Sequence, residues 1–151
     1  KWPNDVTLRG KKVAGVLIDM SIVSNEIENM VLGVGINFKI KPHELANAIK
    51  KTPNFYGVTT LAKKNENALP LVQQFLYELE NIFRLINSGR IKKIKNGWTK
   101  RSSTIGRNVS IMTNKGKLNG KAMKIDNDGA LIISKGKKIE RILVGDVTHD
   151  Q

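Results

Sequence analysis

The 151-residue chain has no cysteine, which excludes a disulfide scaffold, a thiol nucleophile and a thiolate zinc site. Histidine is nearly as scarce, and the isolated His43 and His149 do not by themselves make a histidine-rich metal site. The longest apolar runs, Val13–Ile18 and Val31–Ile36 with Met30 ahead of it, are six and seven residues and punctuated by glycine, against the roughly 20 residues that a membrane-spanning helix needs. Acidic side chains are in deficit, 13 against 26 Lys and Arg, which leaves a net charge of +13. That excess favours anionic partners such as nucleotides, acidic proteins or nucleic acid without choosing among them. What remains is 40% hydrophobic and 26% charged, a globular mixture. The first residue is Lys1 rather than Met, with no targeting pattern, so the chain is expected to be the C-terminal portion of a longer protein.

Pattern and charge both change partway along. Residues 1–90 carry 12 basic and 8 acidic side chains, whereas residues 91–151 carry 14 and 5. In the first stretch, Val6–Leu8 and Lys12–Val23 predict strands joined by an Arg9-Gly10-Lys11 turn. A polar turn over Ser24–Asn29 precedes a strand over Met30–Asn37. Pro42–Lys51 predicts a short helix, and Thr52–Glu66 is weakly patterned. Beyond the N-cap Asn67, apolar Leu69, Val72, Leu76, Leu79, Phe83 and Ile86 recur at helical spacing until Gly89. Arg90–Asn96 predicts a second, basic helix with Ile91, Ile94 and Trp98 on one side. From about Ser102 short strands (Asn108–Met112, Lys117–Ile125, Ala130–Ser134, Lys138–Val144) alternate with Asn114-Lys115-Gly116, Asp126–Gly129 and Lys135-Gly136-Lys137. That rhythm predicts a small barrel or sandwich, and about fifty residues suffice for an SH3-like barrel packed on a larger unit.

Three segments of the first stretch can carry chemistry. Asn4 and Asp5 set an amide beside a carboxylate just before a strand, a pair able to coordinate magnesium and orient phosphate oxygens, or simply a polar turn. Lys12 enters an apolar strand, Val13-Ala14-Gly15-Val16-Leu17-Ile18. Its ammonium there can hold a carboxylate or phosphate at low dielectric, with Gly15 admitting a ligand to the backbone; equally, it can be an edge lysine in water. Gly33-Val34-Gly35-Ile36-Asn37 puts two glycines in a strand, which points to close backbone approach, and Asn37 offers a purine both a donor and an acceptor. Tight strand packing ending in an Asn turn accounts for the same residues, and no P-loop or G-x-G-x-x-G pattern accompanies them. The basic run Arg90–Arg107 reads first as a solvated helix face. Its only aromatic is Trp98, so the ring-and-charge interleaving of a single-stranded nucleic-acid site is missing.

In this order and with these short spacers, Lys1-Trp2-Pro3-Asn4-Asp5, Lys12–Leu17 and Gly33–Asn37 resemble the K-W-P-N-D, K-h-A-G-h-L and G-h-G-h-N motifs (h apolar) of biotin protein ligases. The trailing Leu143-Val144-Gly145-Asp146-Val147 is similar to that family's C-terminal barrel. The resemblance covers essentially the whole chain. It implies an α+β fold: the second half of a class II synthetase-like catalytic domain over 1–98, antiparallel strands backed by helices, then an SH3-like barrel over 99–151.

The activity implied has two steps: biotin and ATP form biotinyl-5′-AMP, and the acyl group passes to a lysine of a biotin carboxyl-carrier domain. Matched by position, Lys12 would sit by the biotin carboxylate and the α-phosphate. Asn4 and Asp5 would face the phosphates and magnesium. Gly15, Leu17, Gly33 and Ile36 would line the biotin pocket, and Asn37 would meet the adenine. Asp19 stands where Glu is expected, and Val34 where Ala or Ile are also usual. The family's arginine- and glycine-rich loop, G-R-G-R-x-G-R, is not among the 151 residues, so the chain alone is expected to be inactive. The Ser/Thr groups that bind the biotin ureido ring, and the DNA-binding winged helix of some members, would also lie upstream. The resemblance further implies cytoplasmic location and a carrier domain or a second ligase meeting the Val16–Val23 strand edge. The short apolar runs give no reason to expect a membrane partner, and the scarcity of aromatics beside the basic run makes a nucleic-acid partner unexpected for these 151 residues. A lipoate ligase relative and a non-catalytic basic barrel binding nucleic acid or an acidic protein are the alternatives; the K-W-P-N-D start favours biotin.

Overall fold

The computed structural model describes residues 1–50, 56–62, 66–113 and 116–149. By compactness the chain divides into two units, Lys1 with Pro3–Lys64 and Trp2 with Asn65–Gln151.

The first unit is built on a three-stranded antiparallel sheet in the order β1 (Asp5–Leu8), β2 (Lys11–Val23), β3 (Glu26–Ile36). Both hairpins turn on two residues of positive φ, Arg9 and Gly10 at 51° and 77°, Ser24 and Asn25 at 53° and 65°. Such turns match the twist of the strands they join. The second one shortens the turn expected over Ser24–Asn29 to two residues, and Glu26–Asn29 belong to β3 instead. Since β1 is short, it pairs only with Lys11–Gly15. From Leu17 onward β2 has β3 on one side and, among the described residues, no strand on the other. A short helix, α1 (Pro42–Ile49), follows with Pro at its start. The expected helix end at Lys51 lies outside the described residues, as do 52–55 and 63–65 of the weakly patterned stretch. Within residues 56–62 of that stretch, Val58 makes a parallel bridge with Lys12 of β2, and the N–H groups of Leu61 and Ala62 donate to the Asn37 and Phe38 carbonyls just past β3. Among the described residues, Val13, Ala14, Val58 and Ala62 are the buried hydrophobic residues of this unit.

The second unit opens with α2 (Leu69–Asn87) and α3 (Ile91–Arg101). The N-cap position of α2 falls on Ala68 rather than on the expected Asn67, although the Asn67 Oδ1 accepts the Leu69 N–H at 3.0 Å just ahead of it. The helix turns out at Gly89, φ 70°. The basic helix is longer than expected, running to Arg101, and packs against β5. Five antiparallel strands, β4 (Asn108–Thr113), β5 (Gly116–Ile125), β6 (Leu131–Lys135), β7 (Lys138–Ile142) and β8 (Asp146–His149), lie in the order β7-β6-β5-β4-β8. Where a barrel is expected, β7 and β8 are the two ends of an open sheet among the described residues. The turn expected at Asn114-Lys115 lies outside them.

The core of this unit is Trp2, Val109, Ile111, Ala122, Leu131, Ile133 and Val147, with Trp98 packed against it as its spacing with Ile94 predicts. At the Asp126–Gly129 turn Arg141 forks across Asp126 and Asp128. Desolvation pushes the Asp126 carboxyl up, but the Arg141 hydrogen bond and the N–H groups of Asp128 and Ala130 prevail and hold it below the usual carboxylate range. No helix among the described residues is long and apolar enough to cross a membrane.

Candidate active site

The site is organised by an irregularity. Between Val6 and Thr7 the β1–β2 register shifts: Asp5 faces Gly15 and Val6 faces Ala14, but Thr7 faces Lys12. Val13 is therefore an extra residue on β2, and a bulge of this kind re-aims the side chains beside it. Asp5 and Thr7 share a face of β1. Their partners Gly15 and Lys12 come to the same face despite being three residues apart. Regular alternation would have sent Lys12 to the opposite side from Gly15.

The consequence is an ion pair. Lys12 Nζ lies 2.5 Å from Asp5 Oδ1, and the Asp5 side chain is only 14% exposed against 40% for Lys12. Gly15 makes room for it: a Cβ there would lie 3.2 Å from both Cε and Nζ of Lys12 and 3.6 Å from Asp5 Oδ1. The Lys12 backbone is held as firmly. Its N–H donates to the Gly57 carbonyl at 3.0 Å, and its carbonyl accepts the Thr59 N–H at 2.9 Å. The Asn37 amide adds a third, longer bond to that carbonyl at 3.4 Å.

Asp5, Lys12 and Gly15, read separately in the sequence, thus form one cluster. Asn4 is beside it, but its side-chain amide donates to the Val16 carbonyl at 2.8 Å, so its carbonyl oxygen is the part left for a ligand. Asn37 sits under the Lys12 backbone. Leu17 and Gly33 are cross-strand partners, as are Ala14 and Ile36; Leu17 is exposed and Ile36 half-buried. Two residues escaped the sequence reading. Tyr56 donates its hydroxyl to Asp5 Oδ2 at 2.7 Å. Burial first, and then the hydrogen bond to Asp5 and its charge, push this phenol far above its ordinary range, so it remains a donor. Trp2, read as part of the site motif, is instead core in the second unit: its N–H donates to Thr104 Oγ1 and its indole N–H to the Gly129 carbonyl, both at 3.0 Å.

An ammonium positioned by a carboxylate, beside a glycine-lined strand, suits an anionic ligand that displaces or shares the carboxylate. Among the described residues no three His, Asp or Glu gather as a metal cluster.

Comparison with known proteins agrees with this layout. Residues 1–37 match the model of the Biotin/lipoate A/B protein ligase family, and residues 104–150 match that of the Biotin protein ligase C terminal domain. The first match spans the whole site hairpin and defines the class, ligases that act on biotin or lipoate. The second narrows it: the chain belongs to the biotin protein ligase family. It is 27% identical over 147 residues to the Bifunctional ligase/repressor BirA of Bacillus subtilis, covering 97% of this chain and 45% of that protein. It is 30% identical over 151 residues to the Biotin--[acetyl-CoA-carboxylase] ligase of Mycobacterium tuberculosis, covering 99% of this chain and 52% of that protein. The chain thus spans about half the length of these curated relatives. In fold it resembles the apo biotin protein ligase of Aquifex aeolicus, with a TM-score of 0.77 at 21% identity over 99% of this chain and 64% of that one. It also resembles the same organism's enzyme in complex with biotin and ATP, at TM-score 0.71, 22% identity, and 97% and 59% coverage.

Proposed function

We propose that these residues are the adenylating half of an ATP-dependent biotin–protein ligase, and that Lys12 carries the chemistry. The observation that supports this best is the bulged hairpin, which directs Lys12 to the Asp5 and Gly15 face within the stretch matching the family. In the first step a biotin carboxylate oxygen attacks the α-phosphorus of ATP, the bond to the bridging oxygen breaks, and pyrophosphate leaves. Lys12 offsets the negative charge that builds on the α-phosphoryl oxygens. In the second, a lysine amine of a biotin carboxyl-carrier domain attacks the acyl carbon, gives up a proton and displaces AMP. Gly15, Leu17, Gly33 and Ile36 line the biotin pocket, and Asn37 meets the adenine.

Magnesium would be held by Asp5 and the Asn4 carbonyl oxygen, with ATP phosphates and water completing its shell, as suits an ion that dehydrates reluctantly. It would add positive charge at the phosphates. The functional boundary falls at 98/99, ahead of the matched C-terminal domain, and that domain is an SH3-like module. The protein acts in the cytoplasm, and its carrier domain, or a second ligase, adds strands to the open edge of β2 beyond Val16.

Biotin over lipoate is favoured by the match of residues 104–150 to the biotin ligase C-terminal domain. The test is biotin-dependent pyrophosphate release by the ligase that contains these residues together with an arginine- and glycine-rich loop. Biotinyl-5′-AMP and labelled carrier are the expected products. Release that lipoate supports and biotin does not would transfer the site to the other branch. Nucleic-acid binding that weakens steeply with salt, without adenylate formation, would support a basic binding module.

A further inference from the structure

Asp5 has two oxygens and two partners. Oδ1 faces the Lys12 ammonium at 2.5 Å, and Oδ2 accepts the Tyr56 hydroxyl at 2.7 Å. Rotation of the carboxyl group would break both contacts together, so the phenol resists the motion that would release Lys12. Tyr56 is itself constrained: the ring is half-buried, and the Lys1 ammonium lies over its face, 3.9 Å from the centroid, within cation–π range. The next residue, Gly57, has φ 96° and gives its carbonyl to the Lys12 N–H at 3.0 Å. The contacts therefore close a ring, from the Lys12 backbone through Gly57 to the Tyr56 hydroxyl, to Asp5, and back to the Lys12 ammonium.

We propose that Tyr56 is a positioning residue for Lys12: its hydroxyl fixes the Asp5 carboxylate in the orientation that aims Oδ1 at the Lys12 ammonium. The effect on adenylation rests on the ligase function proposed above, whereas the effect on Lys12 itself does not.

Tyr56→Phe keeps the ring and its contact with Lys1 but removes the hydrogen bond. The direct readout is the ¹⁵N order parameter of the lysine ammonium groups in residues 1–151, with exposed Lys11 as reference. In the wild type Lys12 should be clearly more ordered than Lys11. In Tyr56→Phe the Lys12 value should fall by about half, toward that of Lys11, with the reference unchanged. Asp5→Asn, a second route to the same loss, should lower it at least as far, and adding Tyr56→Phe to Asp5→Asn should change nothing more, since the two act in series.

An unchanged Lys12 value in Tyr56→Phe overturns the proposal. So does an equal drop in the wild-type and Asp5→Asn backgrounds, which would mean that the ring acts on Lys12 without the carboxylate. In the full ligase, Tyr56→Phe should lower the adenylation kcat about fivefold while leaving acyl transfer from preformed biotinyl-5′-AMP within about twofold, a split that general loosening of the fold would not produce. If the wild type forms no adenylate at all, the ligase function fails, and the order parameters still decide the role of Tyr56.

Discussion

The two compact units bury their hydrophobic residues to different depths. In the first, the buried hydrophobic residues among those described are Val13, Ala14, Val58 and Ala62, each still 5–8% exposed. In the second, Val109, Ile111, Ala122, Leu131 and Ile133 are at 0% and Val147 and Ala130 at 1%. Polar contacts show the reverse emphasis. The first unit concentrates an ion pair, a phenol and three hydrogen bonds on the backbone of a single lysine. The difference teaches that stability and chemistry are separable here. A tight apolar core supports the C-terminal sheet, while a looser hairpin is held in shape by the same polar groups that would meet a ligand.

Truncations should expose that contrast most strongly. Leu131→Ala empties a fully enclosed site and should destabilise the second unit by about 2–5 kcal/mol, read from urea unfolding. Val58→Ala, at a less enclosed site in the first unit, should cost about 1–2 kcal/mol. Equal losses would remove the distinction.

Glycine substitutions sharpen it further. A Cβ at Gly120 would lie 2.7 Å from the Ser134 carbonyl oxygen, a backbone atom that cannot swing aside, so Gly120→Ala should lower stability by about 1–3 kcal/mol. At Gly15 the obstructed atoms are the flexible end of Lys12 and an Asp5 oxygen. Gly15→Ala should leave the melting temperature nearly unchanged and slow adenylation about tenfold, because a displaced ammonium no longer meets the developing charge.

Much of this was legible in the sequence, for definite reasons. Alternating β-branched residues and the Arg9-Gly10 pair announce the first hairpin, and the leucine and phenylalanine period with Asn67 and Gly89 announces α2. Asp5, Lys12 and Gly15 were each legible as chemistry-bearing residues. Their convergence was not, because strict alternation separates Lys12 from Gly15 and only the extra residue at Val13 reunites them. Tyr56 was hidden in a stretch without period, although Gly57 followed by Val58, Thr59 and Thr60 is a short strand-like signal. Strand β8 was missed because Asp146–His149 is four residues long and mostly polar. Trp2 gave no hint of its role, since its core neighbours lie more than a hundred residues away in sequence.

Acid should act on the second unit through its charged turn. The Asp126 carboxyl is held below its ordinary range in the fold, so its contribution is present above the unfolded carboxylate range and is lost as pH falls through the lowered folded value. Arg141→Gln should flatten that acid dependence in a pH series of thermal melts. A dependence of the same slope in both proteins would mean that another carboxylate is responsible.

Smaller and more selective effects are expected at the partner edge. Ile22→Pro alters β2 where it has no neighbour on one side among the described residues, and should weaken carrier labelling or self-association several-fold while sparing adenylate synthesis. Charge reversal at exposed Lys92 and Lys93 should change carrier transfer less, mainly through encounter rate. The opposite ranking would move the carrier's docking surface to α3. Residues 1–151 without the arginine- and glycine-rich loop should form little biotinyl-5′-AMP, since each missing oxyanion-type donor costs about 3 kcal/mol of barrier stabilisation; robust biotin-dependent turnover by the chain alone would show that the loop is dispensable.

The most direct test compares neighbouring lysines. Biotinyl-5′-AMP formation should be measured in the complete ligase for the wild type, Lys11→Ala and Lys12→Ala under identical conditions. Lys11 is exposed, with its stem lying toward Gly57, whereas Lys12 faces Asp5 and Gly15. Lys12→Ala should lose about a hundredfold or more in adenylation, Lys12→Arg should restore little of it because a planar fork does not replace a compact ammonium, and Lys11→Ala should stay within about threefold of the wild type. Comparable losses at the two positions would contradict the assignment of the chemistry to the bulged hairpin.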